Sequence, residues 1–115
     1  MESNNILKHI LPKEFSEYFE ITGIKEQDNK LHINLDERNI LPEEHTDKPL
    51  ESKGFYDPVN LQDFPIRDKA VILVIRKRKW RDKITGETYS RNWELTAKGT
   101  SFTKEFAAFL KEMVR

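Results

Sequence analysis

Apolar positions along this chain change their spacing in a few places, and each change predicts an element. In "PKEFSEYFE" (residues 12–20), Phe15, Tyr18 and Phe19 recur at helical intervals and Pro12 suits a first turn, predicting a short helix. The spacing then drops to two. Leu31, Ile33 and Leu35 alternate with polar residues, predicting a half-buried strand returning from an earlier one, so residues 20–36 read as a β-hairpin. Gln27-Asp28-Asn29 supplies its turn, because Asp and Asn tolerate left-handed backbone, and Gly23 marks a bulge or bend. The polar stretch "DERNILPEEHTDKP" predicts a loop. Strands follow at Leu50 to Tyr56 and over "VNLQDFPI", where Pro65 marks an edge or terminus.

The strongest strand signal is residues 69–81, predicted as one long strand. "DKITGE" turns it, with Gly86 placed for positive φ, and residues 87–95 return. After the linker "TAKGTS", residues 102–115 predict a helix capped by Ser101. The expected fold class is α+β: a mostly antiparallel sheet of about five or six strands, with a short N-terminal helix and a C-terminal amphipathic helix, in one domain over residues 1–115.

Closing the last hairpin through Lys83 to Gly86 pairs Asp82 with Glu87, Trp80 with Tyr89, Arg78 with Arg91, Arg76 with Trp93 and Val74 with Leu95. One face then carries Arg76, Arg78, Trp80, Tyr89, Arg91 and Trp93, with Val74 and Leu95 entering the core. The other carries Lys77, Lys79 and Arg81 opposite Thr88, Ser90 and Asn92. A one-residue slip would exchange the faces.

Charge sharpens this picture. The 115 residues carry 20 basic and 20 acidic side chains, yet residues 1–57 hold seven Lys/Arg against thirteen Asp/Glu and residues 58–115 the reverse. That asymmetry points to nucleic-acid or membrane contact, or to an acidic half covering a basic one. A ribbon of cations and aromatics suits phosphate neutralisation and entry into a major groove; it also suits structural cation–π stacking. Cysteine is absent, which excludes disulfides and thiolate metal sites and fits a reducing compartment. The first fifteen residues lack the layout of a signal peptide, and the longest apolar run, Ala70 to Ile75, is too short to span a bilayer, so a cytoplasmic protein is expected.

Catalytic chemistry is not legible. His9, His32 and His45 show no ligand spacing, so no metal is expected, and there is no glycine-rich phosphate loop. Ser52 and Ser90 lack a nucleophile's surroundings, and Asp36-Glu37 and Glu43-Glu44 fall in predicted loops. The final helix bears an apolar stripe of Phe102, Phe106, Phe109, Leu110 and Met113, which can pack on the sheet or lie in a partner's groove.

The blocks "LPKEFSEYFEITGI", "LESKGFYDPVNLQDFPIRDKAVILVIRKRKWRDKITGETYSRNWEL" and "AKGTSFTKEFAAFLKE" together resemble the N-region proteins of the ISAon group of bacterial insertion sequences, over almost the whole chain. More distantly, Asp63, Pro65, Val71, Leu73, Arg76 and Arg78 resemble the N-terminal module of fused transposases, in which a zinc-binding knuckle precedes a helix-turn-helix. Where cysteine pairs flank that module, this chain reads "ESKGFY" and "TYSRNW", so zinc is not implied and packing through Phe55, Trp80 and Trp93 must hold the ribbon.

The resemblance implies a non-catalytic accessory protein of DNA transposition. It would bind the terminal inverted repeats and cooperate with a separately encoded catalytic subunit, whose carboxylate triad and divalent metal lie on that other chain. On this reading Arg76, Lys77, Arg78, Lys79, Arg81, Lys83 and Arg91 contact phosphates, with Trp80 and Tyr89 at the groove or base edge. Phe106, Phe109, Leu110 and Met113 would meet the catalytic chain, no cofactor or small-molecule substrate is needed, and no enzymatic activity is expected. The competing expectations are a module that only recruits the catalytic chain and an RNA-binding regulator using the same ribbon.

Overall fold

The computed structural model describes residues 13–91 and 103–113. Pro12, Asn92, Trp93, Leu95, Ser101 and Phe102, with the side chains of Phe15, Phe109 and Met113, lie outside the described residues. A short helix α1 (Lys13–Tyr18) runs directly into β1 (Phe19–Gln27), which turns into β2 (Lys30–Glu37). Asp28 and Asn29 take φ of 54° and 62°, the left-handed pair of a two-residue hairpin. The bulge falls between Ile21 and Gly23, as expected.

A 3-10 turn (Glu43–His45) and β3 (Leu50–Phe55) lead to a second hairpin, β4 (Val59–Ile66) and β5 (Lys69–Arg76). The two hairpins meet through their second strands. β2 and β5 lie side by side and parallel, giving a four-stranded sheet in the order β1-β2-β5-β4. The Asn29 side-chain amide donates to Asp68 O at 3.3 Å, tying the two hairpin turns together at one end. Seven strands are described, in a mostly antiparallel arrangement that contains this one parallel pair.

The expected single strand over residues 69–81 is two strands. β5 ends at Arg76, and β6 (Arg78–Asp82) belongs to a second sheet of three strands, β3-β6-β7, with β7 spanning Thr88–Ser90. Burial requires the break. Val71, Leu73 and Ile75 are buried on β5 and Trp80 is buried on β6. Ile75 and Trp80 are five residues apart, so an unbroken strand would send them to opposite faces. Lys77 interrupts the ladder, its carbonyl accepting from Tyr56 N–H at 2.8 Å, and the parity resets. Consequently Arg76 pairs with Asp36 of β2, and Val74 with Asn34 and Asn60, rather than with residues 93 and 95.

Phe19, Ile33, Leu35, Leu61, Val71, Leu73 and Ile75 form the core on one face of the larger sheet, flanked by Tyr18, Ile21, Leu31 and Ile66. Helix α2 (Lys104–Met113) docks beside β4. Thr103 holds its start: the backbone N–H donates to Gln62 O at 3.0 Å, and the hydroxyl donates to Asp63 Oδ1 at 2.8 Å while accepting from Phe106 N–H at 3.4 Å. The cap is therefore Thr103, two residues after the expected Ser101.

Candidate nucleic-acid interface

The hairpin register expected from sequence is present where it is described. Trp80 pairs with Tyr89, Lys79 with Ser90 and Arg81 with Thr88, and Asp82 N–H donates to Glu87 O at 2.8 Å. The turn takes its geometry from Gly86, at φ +79°, and from the Asp82 carboxylate, which accepts from Thr85 and Ile84 N–H at 3.1 and 2.8 Å. Those two bonds, the Thr85 one foremost, hold the Asp82 carboxyl below its ordinary range.

The face carrying Arg78, Trp80, Tyr89 and Arg91 points inward. Trp80 is fully buried and its indole N–H donates to Asn39 Oδ1 at 2.8 Å, so it offers no ring to a groove or base edge. The buried Glu37 organises the rest. Its Oε1 accepts from the Arg78 backbone N–H at 2.9 Å, and its Oε2 lies 3.4 Å from Arg91 Nε. The Arg78 side chain donates to Glu37 O at 3.0 Å and to Ser52 Oγ, and its guanidinium lies 4.6 Å from the Phe55 ring centroid. Arg91 donates to Ile40 O at 2.7 Å and stacks 4.5 Å from the Tyr18 ring.

Arg76 is more exposed, but Nε and Nη2 along one edge of its guanidinium donate to the two Asp36 carboxylate oxygens, which raises its pKa further, and it lies 4.3 Å from the Phe55 ring. Tyr89 donates to Glu87 Oε2 at 2.6 Å and packs 4.6 Å from the His45 ring; that hydrogen bond, then burial, pushes its pKa up. Arg76, Arg78 and Arg91 thus join the two sheets, and their charges are met within the protein.

The solvent face of the three-stranded sheet is the other one. Glu51, Arg81 and Thr88 form one exposed row across β3, β6 and β7. Lys79 and Ser90 pair in the next row, with exposed Lys53 two residues along β3 from Glu51. Lys77 sits half-buried at the strand break and Lys83 is exposed in the turn. Lys79 Nζ lies 5.3 Å from the ring centroid of Tyr56, which is 38% exposed. Among the described residues the side chains of Lys53, Lys77, Arg81 and Lys83 meet no carboxylate within ion-pair distance.

Of the cations named from the sequence, Lys79 and Arg81 lie on this face with Lys77 and Lys83 at its edges; Lys53 and Tyr56, which join them there, were not named. The alternation in "LESKGF" places Glu51 and Lys53 on one side, yet nothing local says that β3 pairs with β6. A major groove about 12 Å wide admits a two-stranded ribbon, and neighbouring strands of this sheet, at a spacing of about 4.8 Å, form one.

The helix stripe is partly spent on the fold. Phe106 and Ala107 are buried, the Phe106 ring lying 5.2 Å from that of Phe64, and Leu110 is half-buried. Phe106 is therefore not presented to a partner. Among the described residues no three His, Cys, Asp or Glu side chains are grouped to hold a metal, and no helix is long and apolar enough to cross a membrane. No family model, no curated protein and no solved structure matches the chain.

Proposed function

We propose that this chain is a non-catalytic DNA-binding subunit of a split insertion-sequence transposase, acting in the cytoplasm at terminal inverted repeats with a separately encoded catalytic chain. The sequence blocks that resemble N-region proteins support the transposition context. The observation that carries the DNA contact is the exposed, cation-rich face of β3-β6-β7, where Lys53, Lys77, Arg81 and Lys83 lack internal carboxylate partners among the described residues, while Arg76 and Arg91 pair with Asp36 and Glu37 and the Arg78 guanidinium is taken up by Glu37 O, Ser52 Oγ and the Phe55 ring. Charges without an internal partner are available to phosphates, and two neighbouring strands of this sheet form a ribbon that a major groove admits.

The test is a fluorescence-anisotropy salt titration on duplexes with the element's terminal repeat and with a scrambled repeat. Tight, repeat-selective binding is expected. Replacing Lys53, Lys77, Lys79 and Lys83 by alanine should weaken binding to both duplexes and flatten the plot of log K against log salt by about 0.9 per lost phosphate contact. A quadruple variant that binds as tightly as the parent, with an unchanged slope, removes this face from the function.

A further inference from the structure

Glu51 is out of place on a phosphate-binding face. It stands directly opposite Arg81 in the β3–β6 register, both side chains are exposed, and no ion pair joins them. Thr88 completes the row on the far side of Arg81. A carboxylate between lysines would repel the phosphates those lysines attract, unless it accepts a hydrogen bond that compensates. In a major groove the donor that fits is the cytosine N4 amino group, just as an arginine fork fits O6 and N7 of guanine. Residues paired across antiparallel strands have Cα atoms about 4.5–5.5 Å apart, which lets two side chains reach the edges of one base pair.

We propose that Glu51 and Arg81 are the specificity-determining pair of this surface and read one G·C base pair, Arg81 taking the guanine and Glu51 the cytosine. The surrounding Lys53, Lys77, Lys79 and Lys83 only position the duplex. This inference rests on the DNA-binding reading above. The division is chemical: a lysine is a point charge that any phosphate satisfies, whereas a planar fork and a carboxylate each demand a particular base edge.

The experiment is selection of bound duplexes from a randomised library by the full chain and by Arg81→Lys and Glu51→Ala, followed by anisotropy on the selected duplex and on versions with single base-pair changes. Arg81→Lys keeps the charge, so its salt slope should match the parent's while preference for one G·C pair falls by about 5- to 100-fold. Glu51→Ala removes a negative charge, so binding to scrambled duplex should tighten while preference at that same base pair falls. Loss at one shared position in both variants supports the inference. A parent that selects a sequence which both variants select equally well overturns it and leaves DNA binding standing, as does a Glu51→Ala variant that tightens on every duplex alike. A parent showing no salt-dependent binding to any duplex overturns the DNA-binding reading and this inference together.

Discussion

Glu37 holds the junction of the two sheets through both oxygens of its carboxyl group. It is 1% exposed, receives the Arg78 backbone N–H where the β5–β6 run breaks, and lies beside Arg91. Removing one partner of a buried charge cluster leaves the others uncompensated, so Glu37→Ala should lower unfolding free energy by roughly 3–5 kcal/mol in a urea melt. Trp80→Ala should cost about 3–5 kcal/mol in the same assay, through the cavity and through the stranded Asn39 amide. Arg81→Ala, on the solvent face, should stay within about 0.5 kcal/mol of the parent.

Acid should act on Asp82. Its folded pKa is depressed by the Thr85 and Ile84 N–H groups, so its contribution is present above the unfolded value near pH 4 and is lost as pH falls through the lower folded value. In melts at a series of pH values, Asp82→Asn should be less stable than the parent near neutrality. The two should converge below pH 4, and a gap that stays constant with pH would remove the carboxylate from the account.

Among the elements, the hairpins show how far local chemistry carries. Asp28-Asn29 and Gly86 sit in left-handed backbone that their side chains tolerate or lack the Cβ to oppose, and both turns were legible in the residues. Arg67 is different. It takes φ 57° in the β4–β5 turn with a long side chain that has no reason to prefer it. Arg67→Gly should raise stability by roughly 0.5–1 kcal/mol, the left-handed cost being partly offset by the greater freedom of glycine in the unfolded chain. Helix α2 is attached to β4 at its first turn. Thr103→Ala would strip the cap and leave the buried Asp63 carboxylate without its hydroxyl partner. A cost of about 1–3 kcal/mol is expected in thermal melts, with Thr103→Ser restoring most of it.

Over the whole molecule, the charge asymmetry of the chain is partly consumed by folding. Asp36 with Arg76, Glu37 with Arg91 and Glu26 with Lys69 each join the acidic half to the basic half. What remains on the β3-β6-β7 solvent face is a smaller and more specific positive surface than the run Arg76 to Arg81 suggests. Inner and outer cations should therefore separate experimentally. Arg78→Ala and Arg91→Ala should lower Tm while leaving the DNA salt slope of the folded fraction intact. Substitutions of Lys53 and Lys83 should do the reverse. Inner-set variants that melt like the parent but lose DNA binding would return the interface to the inward face.

The sequence alone determined what is local: a short helix within residues 12–20, although Phe19 and Glu20 already belong to β1, the hairpin over residues 20–36 with its turn at Asp28-Asn29 and its bulge before Gly23, and the pairing of Trp80 with Tyr89 across a turn only a few residues long. Each follows from sterics and hydrogen bonding within a short stretch. In β2 the alternation of Leu31, Ile33 and Leu35 already marked the inner side, but in β3, β6 and β7 tertiary structure decided which side is inside. The parity conflict between Ile75 and Trp80 was present in the sequence as a spacing of five. Its resolution at Lys77 needs Glu37 and Tyr56, about 40 and 20 residues away, to take up the backbone groups that the break exposes. The same distant contacts turned Arg78 and Arg91 inward and brought Lys53 beside β6. A spacing rule cannot see them, because burial is set by whatever covers a strand, not by the strand's own residues.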